Sequence, residues 1–321
     1  MKASLFTSTQ AAEWGLLIAD VMNAYQAGDP HIMCRQPLPG SRLAASWQIQ
    51  GCLVANDAFG LSDANSWRFY GVLARQVKTS EYAVVLRGTA NIQEWIDSLK
   101  CCLISHPAPE AGKVEEGFFR LYQSMRYLPL RQDGNGLLSN IPDNAPSAAS
   151  GIYDAVGGRH LVITGHSLGA ALGTYLAFDL ADRYYSDQPQ AVTLSMCLFA
   201  SPRPGNQGFA DRFEALMADC YLVYNYARDI VPHLPPSLFD YCSLTEVVEL
   251  TPQTAKAVIA ADIACNHHIL CYCAMLDYNC IENWHLLLAR TGDNNSCICG
   301  PNIVKNRSLL PAVSDRGCYP G

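Results

Sequence analysis

One serine flanked by glycines is the residue of this chain best suited to nucleophilic chemistry. Residues 165–169 read Gly-His-Ser-Leu-Gly, between a β-branched apolar stretch at 161–164 and an Ala/Leu-rich stretch at 170–180. The first stretch predicts a buried strand and the second a helix. In a sharp strand-to-helix turn the central residue has a strained backbone, and glycines two positions away leave room for it. The Ser167 hydroxyl is therefore expected at a helix N-terminus, where developing negative charge is stabilised.

A serine hydroxyl is too weak an acid to attack an ester unaided. It needs a neutral imidazole within hydrogen-bond reach, and the imidazole needs a carboxylate that fixes its tautomer and stabilises its charged form. Where such a serine turn lies between a strand and a helix of an α/β sheet, the partners follow in chain order Ser, Asp, His. Asp229 comes directly after the apolar stretch 220–227, so we expect it just past the carboxyl end of a strand; an ordinary turn aspartate is the alternative.

Four histidines follow Ser167 in the chain. His233 lies too close behind the aspartate to belong to a separate loop, and His285 lies in a helix-like run that is typical of a packed core. The imidazole is therefore expected from His267 or His268, and spacing alone leaves both open.

The stretch Glu81–Leu86 predicts another strand, which runs directly into Arg87-Gly88-Thr89. Ligands bind at the carboxyl edge of the strands in open α/β sheets. The Thr89 N–H, with its hydroxyl, is therefore a candidate donor to an oxyanion, and a plain turn is the alternative.

The next segment carries an apolar stripe at helical spacing, with polar residues on the other side. The stripe consists of Ile92, Trp95, Ile96 and Leu99. Such a stripe usually packs into a core, but directly after the oxyanion segment it also suits a mobile lid whose apolar face covers the site. Residues 91–105 are therefore a candidate lid.

Composition favours a single α/β domain over residues 1–321. Half of the residues are hydrophobic and only 16% are charged, which suits a deeply buried parallel sheet. The net charge of −7 argues against nucleic acid and against electrostatic docking on anionic membranes. No stretch is expected to be an integral membrane segment, because the longest uncharged run, residues 161–178, contains the serine turn and three glycines.

Cysteine usage and the N-terminus together suggest a compartment. No secretory signal is recognised, so a cytoplasmic location is expected, with export by a leaderless route as the alternative. The 14 cysteines are then mainly reduced thiols, with a few disulfides in the Cys-rich tail (291–321, expected to be irregular) as the alternative. Their spacing does not match a zinc site, and we expect no metal and no cofactor.

Apolar periodicity and turn residues predict the remaining elements. Helices are expected over residues 9–25, 116–127, 206–217 and within 262–277. Strands are expected at 47–56, 68–77, 191–199 and 243–250, and residues 132–150 are expected to form a long loop.

Together these segments resemble the class 3 lipases, a family of α/β-hydrolases that includes fungal triacylglycerol lipases and plant phospholipase A1-like enzymes. The similar segments are the oxyanion strand at 84–89, the lid helix at 92–99, the serine turn at 164–170, the strand end at 199–206 and the aspartate segment at 229–236. The resemblance implies a mostly parallel central sheet with helices on both faces and a lid helix.

The family's histidine motif is similar to Asn266-His267 followed by Tyr272, which favours His267 over His268. The resemblance implies a Ser167, Asp229, His267 triad, with the N–H groups of Thr89 and Leu168 as the oxyanion hole.

The activity implied is hydrolysis of lipid esters at a lipid–water interface. Phospholipase A1 or short-chain carboxylesterase activity is the alternative. A third hypothesis is that the protein is a non-catalytic, lipase-like binding protein. The chain departs from the family at Glu115, where a histidine is frequent, and at Ala170 and Ala200, where glycines are common.

Overall fold

A computed structural model of the chain describes its strands, helices and most connections. The described residues are 5–27, 46–56, 67–89, 101–130, 141–185, 193–251, 258–259, 263–281 and 298–299.

The strands among the described residues are numbered in chain order. They are β1 (Trp47–Asn56), β2 (Trp67–Gln76), β3 (Tyr82–Leu86), β4 (Leu103–Ser105), β5 (Lys113–Glu115), β6 (Arg126–Pro129), β7 (Leu161–His166), β8 (Leu194–Phe199), β9 (Tyr221–Tyr226), β10 (Val247–Leu250), β11 (Val258–Ile259) and β12 (Ile298–Cys299).

The α-helices are numbered in the same way. They are α1 (Ser8–Ala27), α2 (Glu116–Ser124), α3 (Ala148–Val156), α4 (Leu168–Asp179), α5 (Gln207–Met217), α6 (Ile263–His267) and α7 (Ile269–Leu276). A single π-helical turn, Leu180–Tyr184, continues α4.

The central sheet has eight strands in the order β10-β9-β8-β7-β3-β2-β1-β6. From β3 to β10 neighbouring strands run parallel, whereas β1, β2 and β6 pair antiparallel at the other end. The carboxyl ends of β3, β7, β8 and β9 therefore meet at one edge, the edge at which ligands bind in open α/β sheets.

Helices cover both faces of this sheet. One core contains Phe118, Tyr175 and Phe213 from α2, α4 and α5, and the other contains Leu16 and Cys271 from α1 and α7. Every residue of β3 and β7 is buried, because a parallel sheet covered on both faces exposes neither side of its inner strands to water. The predicted fold class, an α/β protein with a mostly parallel sheet between helices, is confirmed.

Three predicted elements are wrong in their bounds, and the simplest case is the strand expected over 243–250, which begins only at Val247. The helix expected over 116–127 ends at Ser124, and Arg126–Pro129 instead forms β6, which pairs antiparallel with the outer edge of β1. The backbone hydrogen bonds offered by that strand edge outweigh the helical periodicity of the segment.

The predicted loop at 132–150 is wrong at its end, because α3 begins at Ala148. Ser147 caps this helix by accepting from the Ser150 N–H at 3.3 Å, and Gly157 ends it at a φ of 60°. Both are standard helix-boundary signals that the sequence contained.

Two further expectations fall largely outside the described residues. The apolar stripe at 92–99 lies outside them, and within the candidate lid the described residues Leu103–Ser105 form β4, which pairs with β5. Of the tail, only Ile298–Cys299 is described, and it pairs antiparallel with β11. Within the described part of the chain, no helix is both long and apolar enough to span a bilayer.

Candidate active site

The serine turn has the strained geometry that its sequence predicts. Ser167 lies between β7 and α4 with φ 57° and ψ −128°. A Cβ on Gly165 would lie 2.4 Å from the Gly169 carbonyl oxygen, and a Cβ on Gly169 would lie 2.5 Å from the Arg87 carbonyl oxygen. Both glycines are therefore required by close backbone approach.

The candidate oxyanion strand packs directly against this turn. A Cβ on Gly88 would lie 3.1 Å from the Cβ of Ser167, so the backbone at the end of β3 touches the serine. Thr89 follows and is half-buried, while Leu168 is the first residue of α4, where a helix leaves its N–H groups without intrahelical acceptors. Both candidate donors therefore belong to segments that flank Ser167.

Arg87 holds the oxyanion strand in position. Its buried guanidinium donates to the carbonyl oxygens of Phe69 at 2.6 Å and Gly88 at 2.7 Å. It also lies 3.8 Å from the centre of the Tyr25 ring and 4.6 Å from that of Tyr70, where cation–π attraction adds to the hydrogen bonds.

Asp229 and His267 form a buried hydrogen-bonded pair, although 38 residues separate them in the chain. The Nδ1–H of His267 donates to Oδ2 of Asp229 at 2.7 Å, and the two residues are 5% and 1% exposed. The other carboxylate oxygen accepts the Val231 N–H at 2.9 Å. Because the carboxylate engages Nδ1, the Nε2 of His267 is left as the atom that can accept a proton.

The second histidine candidate has a different contact. The Nδ1 of His268 accepts the N–H of Leu270 at 3.2 Å and caps α7, and its side chain is exposed. Of the two neighbouring imidazoles, it is that of His267 which contacts Asp229.

Two polar atoms of the site are buried without a hydrogen-bond partner among the described residues, namely Ser167 Oγ and His267 Nε2. Buried polar atoms are nearly always paired, so such exceptions call for an explanation. These are the two atoms between which a triad would transfer a proton, and catalytic hydrogen bonds are frequently long before substrate binds.

Tyr272 gives the carboxylate a further donor. Its hydroxyl donates to Oδ2 of Asp229 at 2.6 Å and accepts the Tyr226 N–H at 3.1 Å. Burial, and then the charge of Asp229, raises the pKa of Tyr272 well above its ordinary value, so the hydroxyl stays protonated and remains a donor. The sequence showed Tyr272 only as part of a motif, without this contact.

His166 and Arg203 make hydrogen bonds in the site that the sequence did not reveal. The ring of His166 donates to the backbone carbonyl of His267 at 2.7 Å, and the guanidinium of Arg203 donates to the carbonyls of His233 and Pro235 at 2.6 and 2.8 Å. The hydrogen bonds from Arg203 hold the loop that follows Asp229. Neither could be derived from spacing, because both donors bond to backbone atoms far away in sequence.

This arrangement can perform acyl transfer, since it combines a hydroxyl at a strained turn, a carboxylate-oriented imidazole and two flanking backbone segments. Within the described part of the chain, no group of three or more His, Cys, Asp or Glu side chains could hold a metal ion.

A family model described as Lipase (class 3) matches residues 83–239. The matched stretch contains Thr89, Ser167 and Asp229. Just under half of the chain, residues 83–239, therefore matches the class 3 lipase family. His267 lies beyond the match, so its assignment rests on the contact with Asp229.

Similar proteins agree with this family. The chain is 26% identical to a lipase from Rhizomucor miehei over 76% of its own length and 63% of the relative. It is 29% identical to the chloroplastic galactolipase DONGLE from Arabidopsis thaliana over 59% of its own length and 43% of the relative. The chain therefore spans 63% of the length of the first of these relatives and 43% of the second.

A solved structure agrees with the fold. The Rhizomucor miehei lipase–propeptide complex superimposes with a TM-score of 0.54, at 20% identity, over 84% of this chain and 78% of that one. The central sheet is thus that of an α/β-hydrolase.

The expected cytoplasmic location is wrong. The Arabidopsis relative is a chloroplastic protein by name, and the Rhizomucor lipase is found in complex with a propeptide. Cys52 and Cys265 each take part in a disulfide, whereas cytosolic proteins rarely keep disulfides. The expectation of reduced thiols therefore fails at these two positions, while other described cysteines are free, such as the buried Cys197 and Cys271.

Proposed function

We propose that this protein hydrolyses carboxylic esters of lipids through an acyl-enzyme on Ser167. The proposal rests above all on one observation, the buried 2.7 Å hydrogen bond between His267 and Asp229. That bond leaves an unpaired imidazole nitrogen in the same site as the strained serine. The family match and the lipase and galactolipase relatives support lipid esters as the substrate class.

In the proposed reaction the Ser167 oxygen attacks the acyl carbon while His267 Nε2 takes the hydroxyl proton. The Asp229 carboxylate stabilises the imidazolium, and the N–H groups of Thr89 and Leu168 hold the tetrahedral oxyanion. The imidazolium then gives its proton to the leaving alcohol. Water, activated by the same imidazole, finally releases the fatty acid from the serine.

Substitution of the nucleophile is the first test of this proposal. We expect Ser167→Ala to reduce hydrolysis of a p-nitrophenyl ester by roughly 10⁴- to 10⁶-fold with little change in melting temperature. The matched control is Ser195→Ala, which also removes a buried serine hydroxyl. Ser195 lies on β8, and its hydroxyl is 3.2 Å from Nε2 of His160. Near-normal hydrolysis by Ser167→Ala, or equal losses in both variants, would refute the assignment.

The substrate class is a separate question from the reaction. A galactolipase among the relatives gives a specific reason to test polar lipids. Triacylglycerol hydrolysis is the first candidate; phospholipase A1 or short-chain carboxylesterase activity is the second. Rates on triolein, phosphatidylcholine, monogalactosyldiacylglycerol and p-nitrophenyl butyrate, each measured against Ser167→Ala, separate these activities.

We further propose that residues 91–105 form a lid that acts at the lipid–water interface. The support is the sequence stripe that includes Trp95, directly after the oxyanion strand. Trp95→Ala should then reduce hydrolysis of emulsified triacylglycerol more than hydrolysis of a dissolved short-chain ester. Equal changes on the two substrates would remove the case for a lid.

A further inference from the structure

We propose that His166, the residue before the nucleophile, is a positioning residue that fixes the His267 imidazole beside Ser167. This role rests on the proposed function and goes beyond the three triad side chains. It assigns a task to a buried imidazole that the mechanism does not otherwise use.

The contact joins two parts of the site that are far apart in the chain. His166 is the last residue of β7, and its Nε2 lies 2.7 Å from the backbone carbonyl oxygen of His267. A carbonyl only accepts, so Nε2 carries the hydrogen. The hydrogen bond therefore ties the backbone of the proton acceptor to the residue adjacent to the nucleophile.

The His166 ring also contacts the candidate oxyanion strand. A Cβ on Gly88 would lie 3.1 Å from Nδ1 of His166, so the glycine backbone packs against one side of the ring. The rings of His166 and His267 lie 4.5 Å apart between centres, at 38°. One buried side chain thus touches the segments that carry the oxyanion donor, the nucleophile and the base.

Fixing the carbonyl of His267 matters because the imidazole hangs from the same residue. His267 ends the five-residue helix α6, and His268 already caps α7. The hydrogen bond from His166 limits how far the His267 backbone can shift away from Ser167. Asp229 orients the ring at the other end through Nδ1, so the ring is held from its backbone and from its far side.

The environment also keeps His166 uncharged. Burial is the largest cause that lowers its pKa well below the ordinary value, and the neighbouring His267 and His268 act in the same direction. A second imidazolium 4.5 Å from His267 would oppose the charge that develops on the base during attack. A neutral donor positions the base without this cost.

The test compares side chains that keep or lose the donor. His166→Leu removes it, whereas the amide nitrogen of His166→Gln can replace Nε2. The shorter His166→Asn keeps an amide but cannot reach the carbonyl. The control Thr164→Val removes another buried donor to a backbone carbonyl on β7, the 2.8 Å bond to Cys197.

We expect His166→Leu and His166→Asn to lower kcat on p-nitrophenyl butyrate by about 100-fold, because small misplacements of catalytic groups have effects of this size. KM should stay nearly unchanged. The second-order rate with a serine-directed phosphonate should fall in parallel. His166→Gln should recover to within about fivefold of the parent protein, since a comparable hydrogen bond is restored. Thr164→Val should lower the melting temperature without lowering kcat.

A kcat for His166→Leu equal to that of Thr164→Val would overturn the proposal. If His166→Leu does not fold, the kcat values of His166→Gln and His166→Asn are compared instead. Equal kcat values for these two variants would overturn the proposal. A parent protein that neither hydrolyses esters nor reacts with the phosphonate would instead refute the proposed function itself.

Discussion

Ser167 shows how a single residue is held in a conformation that it would not adopt alone. Its φ of 57° and ψ of −128° define a backbone conformation that non-glycine residues rarely adopt, at a cost of about 1–3 kcal/mol. The N–H of Ser167 donates to the Phe199 carbonyl at 3.0 Å, and its own carbonyl accepts the Ala170 N–H at 2.8 Å. Sheet and helix bonds on the two sides offset the strain.

Ala200 follows Phe199 and has a comparable strain. Its φ is 50°, and its N–H donates to the Tyr224 carbonyl at 2.9 Å. A glycine adopts this conformation without a penalty, so the alanine at this position costs energy. The departure noted in the sequence thus leaves the turn geometry intact at an energetic cost.

The Tyr272 hydroxyl leads to a prediction at the residue scale. In Tyr272→Phe the Asp229 carboxylate loses the 2.6 Å donor, so the charge that stabilises the His267 imidazolium is held less firmly. We expect kcat to fall roughly tenfold, which corresponds to about 1.4 kcal/mol and lies at the low end for a hydrogen bond to a charged group. KM should not change.

The matched control for that variant is Tyr175→Phe. It deletes another buried tyrosine hydroxyl, one that donates to the Pro204 carbonyl at 2.6 Å. Both variants should be less stable in urea denaturation, but only Tyr272→Phe should lose kcat. Equal kcat values for the two would exclude a role for Tyr272 in the reaction.

At the scale of elements, Glu115 joins the end of β5 to the start of α2. Its Oε2 accepts the Phe118 N–H at 2.7 Å as the helix cap. Burial raises the pKa of this carboxyl to about 7, although the hydrogen bonds from Phe118 and Gly117 act in the opposite direction. The position therefore needs an acceptor but does not favour a charge.

This conflict predicts a pH-dependent stability. The folded protein keeps the Glu115 proton up to about pH 7, while an unfolded chain releases it near pH 4.5. Folding stability therefore falls as the pH rises through that window, by roughly 3 kcal/mol at about 1.4 kcal/mol per pKa unit. Glu115→Gln keeps an acceptor without the charge, so it should match the parent protein at pH 4.5 and be more stable at pH 8.

Urea denaturation at both pH values measures this effect. The control is Glu116→Gln, which removes a partly exposed carboxylate that pairs with Arg120. Its charge is the smallest of the causes that set the raised pKa of Glu115, so most of the pH dependence should remain in this variant. A Glu115→Gln variant no more stable than the parent at pH 8 would contradict the account of this helix cap.

Strong local patterns predicted most elements well, because the inner strands and the serine turn need little more than buried apolar runs and fixed glycines. The bounds of β1 were predicted residue by residue. Local patterns failed where tertiary contacts decide, as at Arg126–Pro129, which the open edge of β1 draws out of the helical pattern. At α3 the caps Ser147 and Gly157 are present in the sequence, but the small and polar residues around them fit a loop equally well.

The residues of the candidate site also differ in whether local sequence patterns or tertiary contacts reveal them. Residue order and turn chemistry were enough to single out Ser167 and Asp229 from the sequence. The sequence favours His267 over His268 only through the family resemblance, whereas the folded structure places the His267 ring against the Asp229 carboxylate. The donors His166 and Arg203 bond to distant backbone carbonyls, and backbone contacts leave no sequence signal.

At the scale of the whole molecule, the parallel order β9-β8-β7-β3 gathers residues from distant parts of the chain. Asp229 follows β9, Ser167 follows β7 and Thr89 follows β3, so one sheet edge collects them. His267 is the last residue of α6. The next helix in the chain, α7, packs beside α1 on one face of the sheet. The central claim is that this edge works as a single acyl-transfer site.

Covalent labelling tests that claim most directly, since it does not depend on knowing the natural lipid. The protein would be treated with a fluorophosphonate, digested and examined by mass spectrometry, with Ser167→Ala as the control. We predict one adduct, on the peptide that contains Ser167, absent from the control and formed far more slowly in His267→Ala. No adduct on the folded protein, or an adduct on another serine such as Ser195, would contradict the account.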